Sequence, residues 1–354
     1  MLRWSKLSLV GFLRSDLKAI LEVVGIEFEE ELQPLSVLLP WPEIAITAYS
    51  VYDNLGVEAC LTHTVRANVG LYTLDPMHTI NGGMSSIAWA FMNENCYGWN
   101  KDVHLSKCIK YGLTVRGIEY RMTADDKSHN YVKVTCYNET SQEMEEHTAD
   151  SVIISTPLHI VREMTFTPPL PSDIQSALAG ICYAASTKIF IQSKTRFWEE
   201  EGIVGGFTKT NMPYVGHLHY SSNQDNEGDR GILMCYTKRK EALKFASQSH
   251  QNAISQAINE ISQIHPKLRE NFEVGAVQAW YSDSSSQGAF AVKKPDHIVN
   301  INKLMYPYKN IFFAGDTLSW TTNWIQGALE SGLRAAYQFY IRNEVSDWQS
   351  AQSI

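Results

Sequence analysis

The chain has 354 residues, 44% of them hydrophobic and 19% charged, with a formal net charge of −8. That composition describes a globular chain with a sizeable core and excludes a mostly disordered one. An acidic balance with no basic stripe argues against a nucleic-acid partner, because phosphate binding needs clustered Lys and Arg.

Near the N-terminus, Arg3 and Lys6 precede the short apolar run 7–13, and Arg14, Asp16 and Lys18 follow at once. That pattern suits an amphipathic helix better than a signal sequence. No apolar run reaches the roughly 20 residues needed for a membrane span. The compartment stays open, with the cytoplasm as default and secretion if a longer precursor exists. Residues 1–77 read as a helical segment: Leu13, Leu17, Ile20, Leu21 and Val24 sit at helical spacing, and Gly25 stops the pattern.

Around Thr79 the texture changes. Ile80-Asn81-Gly82-Gly83-Met84 reads as a turn, and Ile87, Ala88, Phe91 and Met92 suit a helix after it. Strands are expected at 103–111, 118–122, 131–137 and 151–155. The uniformly apolar Val152-Ile153-Ile154 reads as a strand buried on both faces. Pro168-Pro169-Leu170-Pro171 is a rigid crossing. Beyond it, strands at 187–193, 231–236 and 277–280 alternate with a helix over 241–264. A loop at 306–310 leads to a buried strand at 311–314 and a helix at 324–342. The expected division is 1–77 helical, 78–180 and 301–343 two parts of a cofactor-binding domain, 181–300 a substrate domain, and 344–354 a polar tail. The cysteines Cys60, Cys96, Cys108, Cys136, Cys182 and Cys235 are scattered with no CxxC pair, so buried thiols are expected rather than a metal cluster.

The stretch Ile311 to Ala336 carries the most chemistry. An apolar strand ends in Gly315 and Asp316, beyond the carboxyl end where open α/β sheets bind ligands. Asp316 is placed to accept from sugar-type hydroxyls, and Gly315 lets a ligand approach the backbone. A helix begins near Asn323 or Trp324, with Ile325, Ala328, Leu329, Gly332 and Ala336 as its inward stripe. Its N-terminal dipole favours a group that becomes negative. An ordinary βα unit with a packed tryptophan fits the same residues.

The residues then become more specific. Phe313-Ala314-Gly315-Asp316, followed by Trp324-Ile325-Gln326-Gly327-Ala328-Leu329-Glu330-Ser331-Gly332, resembles the C-terminal FAD motif of the flavin amine oxidase superfamily. Ile80 to Met84, Ala149 to Pro157 with Phe166 to Pro171, and Thr187 to Phe190 with Phe197 to Gly206 resemble three further family segments in the same order. The last is most similar to the L-amino-acid oxidases of the snake-venom type.

The resemblance implies a mixed α/β fold: an incomplete, Rossmann-like FAD-binding domain of the amine oxidase type, a β-sheet substrate domain and a helical segment. It implies FAD as cofactor and oxidation of an L-amino acid by hydride transfer, with oxygen as acceptor, giving a keto acid, ammonia and hydrogen peroxide. Carried over by motif, Lys188 holds a water near the reacting flavin atom and Trp280 lies beside the ring. Phe290 and Trp324 face each other across the substrate, and Tyr236 bonds its carboxylate. Gly315, Asp316, Trp324 and Ile325 contact FAD, and Cys108 falls near the adenine. Each has a plainer reading: Lys188 as a surface lysine, the aromatics as core, Tyr236 as cross-strand packing.

The chain departs from the family in four places, one of them the arginine that pairs with the substrate carboxylate, which has no counterpart here. It has no G-x-G-x-x-G turn to cradle a pyrophosphate. Asp316 replaces a glutamate, and Asn323 stands where many relatives have glycine. The expected partners are therefore a substrate, oxygen, a complementary N-terminal chain and a second copy of the chain. An oxidase for simple amines or polyamines, an amino-acid monooxygenase, and an inactive interaction protein remain alternatives.

Overall fold

The computed structural model describes residues 105–122, 130–221, 228–295 and 297–344, with shorter stretches at 8–15, 19–20, 40–46, 61, 80 and 82–93. Most of the expected helical segment 1–77, the tail beyond Glu344, Cys60 and Cys96 lie outside those residues. Within the segment, a short helix at Leu9–Arg14 is capped by Ser8, whose hydroxyl accepts from the Gly11 N–H. Gly82 and Gly83, with φ of 84° and 91°, make the expected turn before the helix Ser85–Asn93.

The first sheet holds β1 (Leu113–Met122), β2 (Asn130–Asn138) and β3 (Glu143–Ala149), an antiparallel meander. β4 (Val152–Ile154) leaves it, and β5 (Thr165–Thr167) returns parallel to β1. The charged β3 carries no hydrophobic alternation and was not expected as a strand. It is an edge strand, and charge suits an edge. Its Glu146 pairs with Lys133 of β2 at 2.8 Å.

The strand expected at 103–111 is not found among the described residues. Leu105–Lys107 is a 3-10 turn, and the Cys108 N–H donates to the Leu105 carbonyl at 2.9 Å. Gly112, at φ 72°, then turns the chain into β1. Short apolar runs mixed with Lys and Ser do not separate a turn from a strand by periodicity.

β6 (Cys182–Ala184) pairs with β12 (Phe290–Val292), and β13 (Ile311–Phe313) lies parallel to β4. Between them in sequence comes an antiparallel sheet ordered β11-β7-β10-β9-β8. Its strands are β7 (Ser186–Ser193), β8 (Phe207–Lys209), β9 (His217–Tyr220), β10 (Gly231–Lys238) and β11 (Phe272–Ala279). The helix expected over 241–264 is two helices, Arg239–Ala246 and His250–Ile264. The break falls where the Ser249 side chain accepts from the Asn252 N–H and starts the second helix.

Strand geometry sends alternate side chains to opposite faces. Ile189, Ile191, Leu218, Leu233 and Cys235 point to one face of this sheet, and they bury against Phe245, Ala253, Ala257 and Ile261 of the two helices, with Phe197 and Trp198. A separate core joins Ile118 and Val132 of the first sheet to Ile154, Leu158, Leu178, Ile311 and Phe313.

Two burial expectations need correction. Ile153 is 44% exposed rather than buried. Among the described residues β4 pairs only with β13. The helix Ile325–Glu344 turns Gly327, Ser331 and Ala335 inward, while Ile325, Ala328, Leu329 and Ala336 face outward. The inward set is smaller because the helix lies close against the turn before it. A Cβ on Gly327 would stand 2.2 Å from the Thr321 carbonyl oxygen.

Candidate active site

The five-stranded sheet's second face forms one wall of a cleft of about 890 Å³. The opposite wall comes from the turn after β13, the turn after β4, and the segment 286–290. The cleft gathers Lys188, Tyr236, Trp280, Phe290, Gly315, Asp316 and Trp324. These are seven of the nine residues the sequence singled out, from positions up to 136 residues apart. Ile325 begins the last helix but does not line the cleft. Cys108 is exposed on the turn before β1 and does not line it either.

The sheet wall has a regular layout. Tyr236 of β10 stands opposite Lys188 of β7 on one side and opposite His217 of β9 on the other. His217 in turn faces Lys209 of β8. One cross-strand row therefore reads Lys188, Tyr236, His217, Lys209. The next row reads Phe190, Met234, His219, Phe207. Opposed residues of an antiparallel sheet share a face and touch. The Lys188 ammonium sits 5.2 Å from the Tyr236 ring centre, and that of Lys238 sits 4.7 Å away. Lys238 also reaches within 6.0 Å of the Phe290 ring centre.

Sequence reading missed Phe207, Lys209, His217, His219 and Lys238. The strands β8 and β9 are only three and four residues long, and their alternation is too short to stand out. The usable signal was Phe207-Thr208-Lys209 and His217-Leu218-His219-Tyr220, where every second residue is polar or aromatic. Electrostatics mark the same place. Burial, then Lys238, Lys209 and His219, lower the His217 pKa to about 4. Burial, then Lys188 and Lys238, lower that of His219. Both rings are kept neutral by desolvation beside fixed positive charge.

The opposite wall is held by a hydrogen-bond frame. The Tyr183 hydroxyl shares a 2.8 Å bond with Thr317 and accepts from the Leu158 N–H at 3.4 Å. One side chain of β6 thus ties the turns after β4 and β13 together. Burial raises the Tyr183 pKa. The buried Lys293 ammonium donates to the Ser319 carbonyl at 2.9 Å. Arg334 of the last helix donates to the Leu318 carbonyl at 2.7 Å.

Gly315 has φ 136°, a conformation L side chains rarely adopt, and a Cβ there would meet nothing within 4 Å. Its backbone is therefore open to a ligand. The Asp316 carboxylate accepts from the Asn323 N–H at 2.9 Å. Asn323 itself has φ 71°, in the left-handed region. Asparagine is among the few non-glycine residues that tolerate that region. An open glycine, a neighbouring carboxylate and two partly exposed tryptophans, Trp280 and Trp324, line the same cleft. These groups fit the ribityl and ring portion of a flavin.

Comparison with known proteins identifies the family. The family described as flavin containing amine oxidoreductase matches residues 42–338, and the chain belongs to it. That family is one of flavin-containing oxidoreductases, and FAD is the cofactor that membership points to. The chain is 32% identical over 221 residues to L-amino acid oxidase Bs29 of Bothriechis schlegelii, covering 61% of this chain and 44% of that one. It is also 32% identical over 232 residues to an L-amino acid oxidase of Bothrops pictus, covering 64% and 45%. It therefore spans under half the length of these relatives. Among solved structures, a putrescine oxidase bound to putrescine superposes with a TM-score of 0.59 at 17% identity, covering 74% of this chain and 53% of that one. Cyclohexylamine oxidase from Brevibacterium oxydans gives 0.54 at 16%, covering 65% and 48%. At that identity the likeness is one of fold. No helix among the described residues is long and apolar enough to cross a membrane.

Proposed function

We propose that this chain supplies the substrate wall and the flavin-ring end of an L-amino-acid oxidase, which converts an L-amino acid to a keto acid, ammonia and hydrogen peroxide. The observation that carries the reading is the convergence of Lys188, Tyr236, Trp280, Phe290 and Trp324 with Gly315 and Asp316 in one cleft. FAD, when bound, supplies the two-electron acceptor. The chain's own residues bind and orient. The Tyr236 hydroxyl donates to the substrate carboxylate, and the lysines around it add positive charge. Phe290 and Trp324 hold the side chain between two aromatic surfaces. Lys188 Nζ holds a water at the reacting end. Asp316 accepts from ribityl hydroxyls.

A simple diamine fits this wall poorly. Its ammonium groups would lie among Lys188, Lys209 and Lys238, and like charges in a partly desolvated site repel. The groups that hold the pyrophosphate are proposed to come from a complementary N-terminal chain. It would cover the outer face of β4 and the outward side of the last helix, where Leu333 is 73% and Tyr337 64% exposed.

The test is to purify the chain with FAD, alone and with such a complement, and record flavin absorbance and peroxide. L-Amino acids should give peroxide and their decarboxylated analogues little. Flavin bound with equal turnover of both classes would replace this reading with an amine oxidase. No bound flavin under either condition would sink it.

A further inference from the structure

We infer that Arg334 is a positioning residue, one that braces the turn of Gly315, Asp316 and Thr317 from behind and so prepares it for the cofactor; the cofactor part rests on the flavin reading above. The observation is a fork that spans the turn. One guanidinium nitrogen donates to the Leu318 carbonyl at 2.7 Å and the other to the Phe313 carbonyl at 3.4 Å. Between those two carbonyls in sequence, Ala314, Gly315, Asp316 and Thr317 all line the cleft. The last helix holds the same segment at two more points. The Ser331 hydroxyl accepts from the Gly315 N–H at 2.9 Å, and Gln338 donates to the Met305 carbonyl at 2.9 Å. Residues 331, 334 and 338 are three and four apart, which makes them neighbours on one helix face. Of the three, Arg334 alone grips both sides of the turn.

The turn needs an outside brace. Gly315 sits at φ 136°, and nothing lies within 4 Å of where its Cβ would stand. Glycine loses more freedom on ordering than any other residue. A loose turn would bear that cost when a ligand arrives, whereas a turn already held does not. Arginine suits the task because its planar fork reaches two acceptors at once, while a lysine ammonium is a single point. Burial lowers the Arg334 pKa, the mark of a guanidinium drawn out of water. Charge-assisted bonds are stronger in such surroundings than at the surface. The brace touches main-chain carbonyls only, so it sets the shape of the turn and leaves the Asp316 carboxylate facing the cleft.

The test compares the purified full chain with Arg334→Met and Arg334→Lys. Amide hydrogen exchange is followed without ligand, and FAD is then titrated by fluorescence. Arg334→Met should exchange about tenfold faster over 314–318 while β7 and β10 keep their protection, which a general loss of folding would not allow. Its FAD dissociation constant should rise about tenfold. Arg334→Lys keeps the charge but not the fork, so it should lose about as much by both measures, and it decides the matter if the methionine variant does not fold. Unchanged exchange over 314–318 overturns the inference. So does faster exchange with unchanged FAD affinity, or a lysine variant that matches the unsubstituted chain, which would assign the effect to charge alone. The flavin reading fails differently. No FAD bound by the unsubstituted chain, with the exchange difference intact, removes that reading and leaves the brace standing.

Discussion

The five-stranded sheet and the β4–β13 pair meet at one cleft, yet they are finished to different degrees. The sheet is covered on its apolar face by Phe245, Ala253, Ala257 and Ile261, and Ile189, Leu218 and Leu233 are fully buried beneath them. Its polar face is the cleft wall. The parallel pair is covered on one side by the first core, while Ile153 stays exposed on the other. Parallel strands are normally buried on both faces. The contrast teaches that the five-stranded sheet is ordered by its own packing, whereas among the described residues β4 and the last helix keep an exposed apolar side.

The sharpest way to break that contrast is Trp198→Ala. Trp198 is fully buried in the sheet's core, and its loss should cost about 3–5 kcal/mol by denaturant titration. Flavin binding and sheet stability should fall together if the wall is one unit. Next comes Gly327→Ala. The new methyl would press on the Thr321 carbonyl, so the helix must move away from the turn, at about 2–3 kcal/mol. Because this strain lies at the cofactor edge, flavin absorbance of the purified variant should drop more than its helix content by circular dichroism.

Acidification gives a third, smaller effect. The folded-state pKa of His217, lowered to about 4, lies below the ordinary value of 6.5. Between those values the unfolded chain takes up a proton that the folded chain refuses, so stability is present above pH 6.5 and is lost as pH falls toward 4. Burial first, then the neighbouring Lys238, Lys209 and His219, hold His217 neutral. His217→Asn should flatten the fall between pH 7 and pH 4 by on the order of 2 kcal/mol, measured as denaturation midpoints across that range. The smallest effect is Asp316→Ala, which should weaken FAD binding about tenfold, roughly 1.4 kcal/mol, in a fluorescence titration.

Much of this was legible from residues alone, but unevenly. The 311–336 strand, turn and helix announced themselves because an unbroken apolar strand, a glycine and a carboxylate are adjacent in sequence. The cleft's aromatic members, Trp280, Phe290 and Trp324, were legible only through motif order. Lys209 and His217 were not legible. They belong to strands too short to show a period, and their meaning comes from register with Lys188 and Tyr236, which lie on other strands. The inward face of the last helix was misread for a related reason. Hydrophobicity marked the Leu329 side, but the closest approach is made by Gly327 and Ser331, which bear almost no apolar signal.

The row Lys188, Tyr236, His217, Lys209 has one more consequence. Strands in a sheet repeat at about 4.8 Å, so four residues in register mark a scale roughly 14 Å long with evenly spaced polar divisions. A pleated backbone cannot stretch to suit its guest. A ligand laid along the row would meet these side chains at fixed intervals. Exchanging one residue of the row changes one of those contacts and leaves the spacing of the others unchanged.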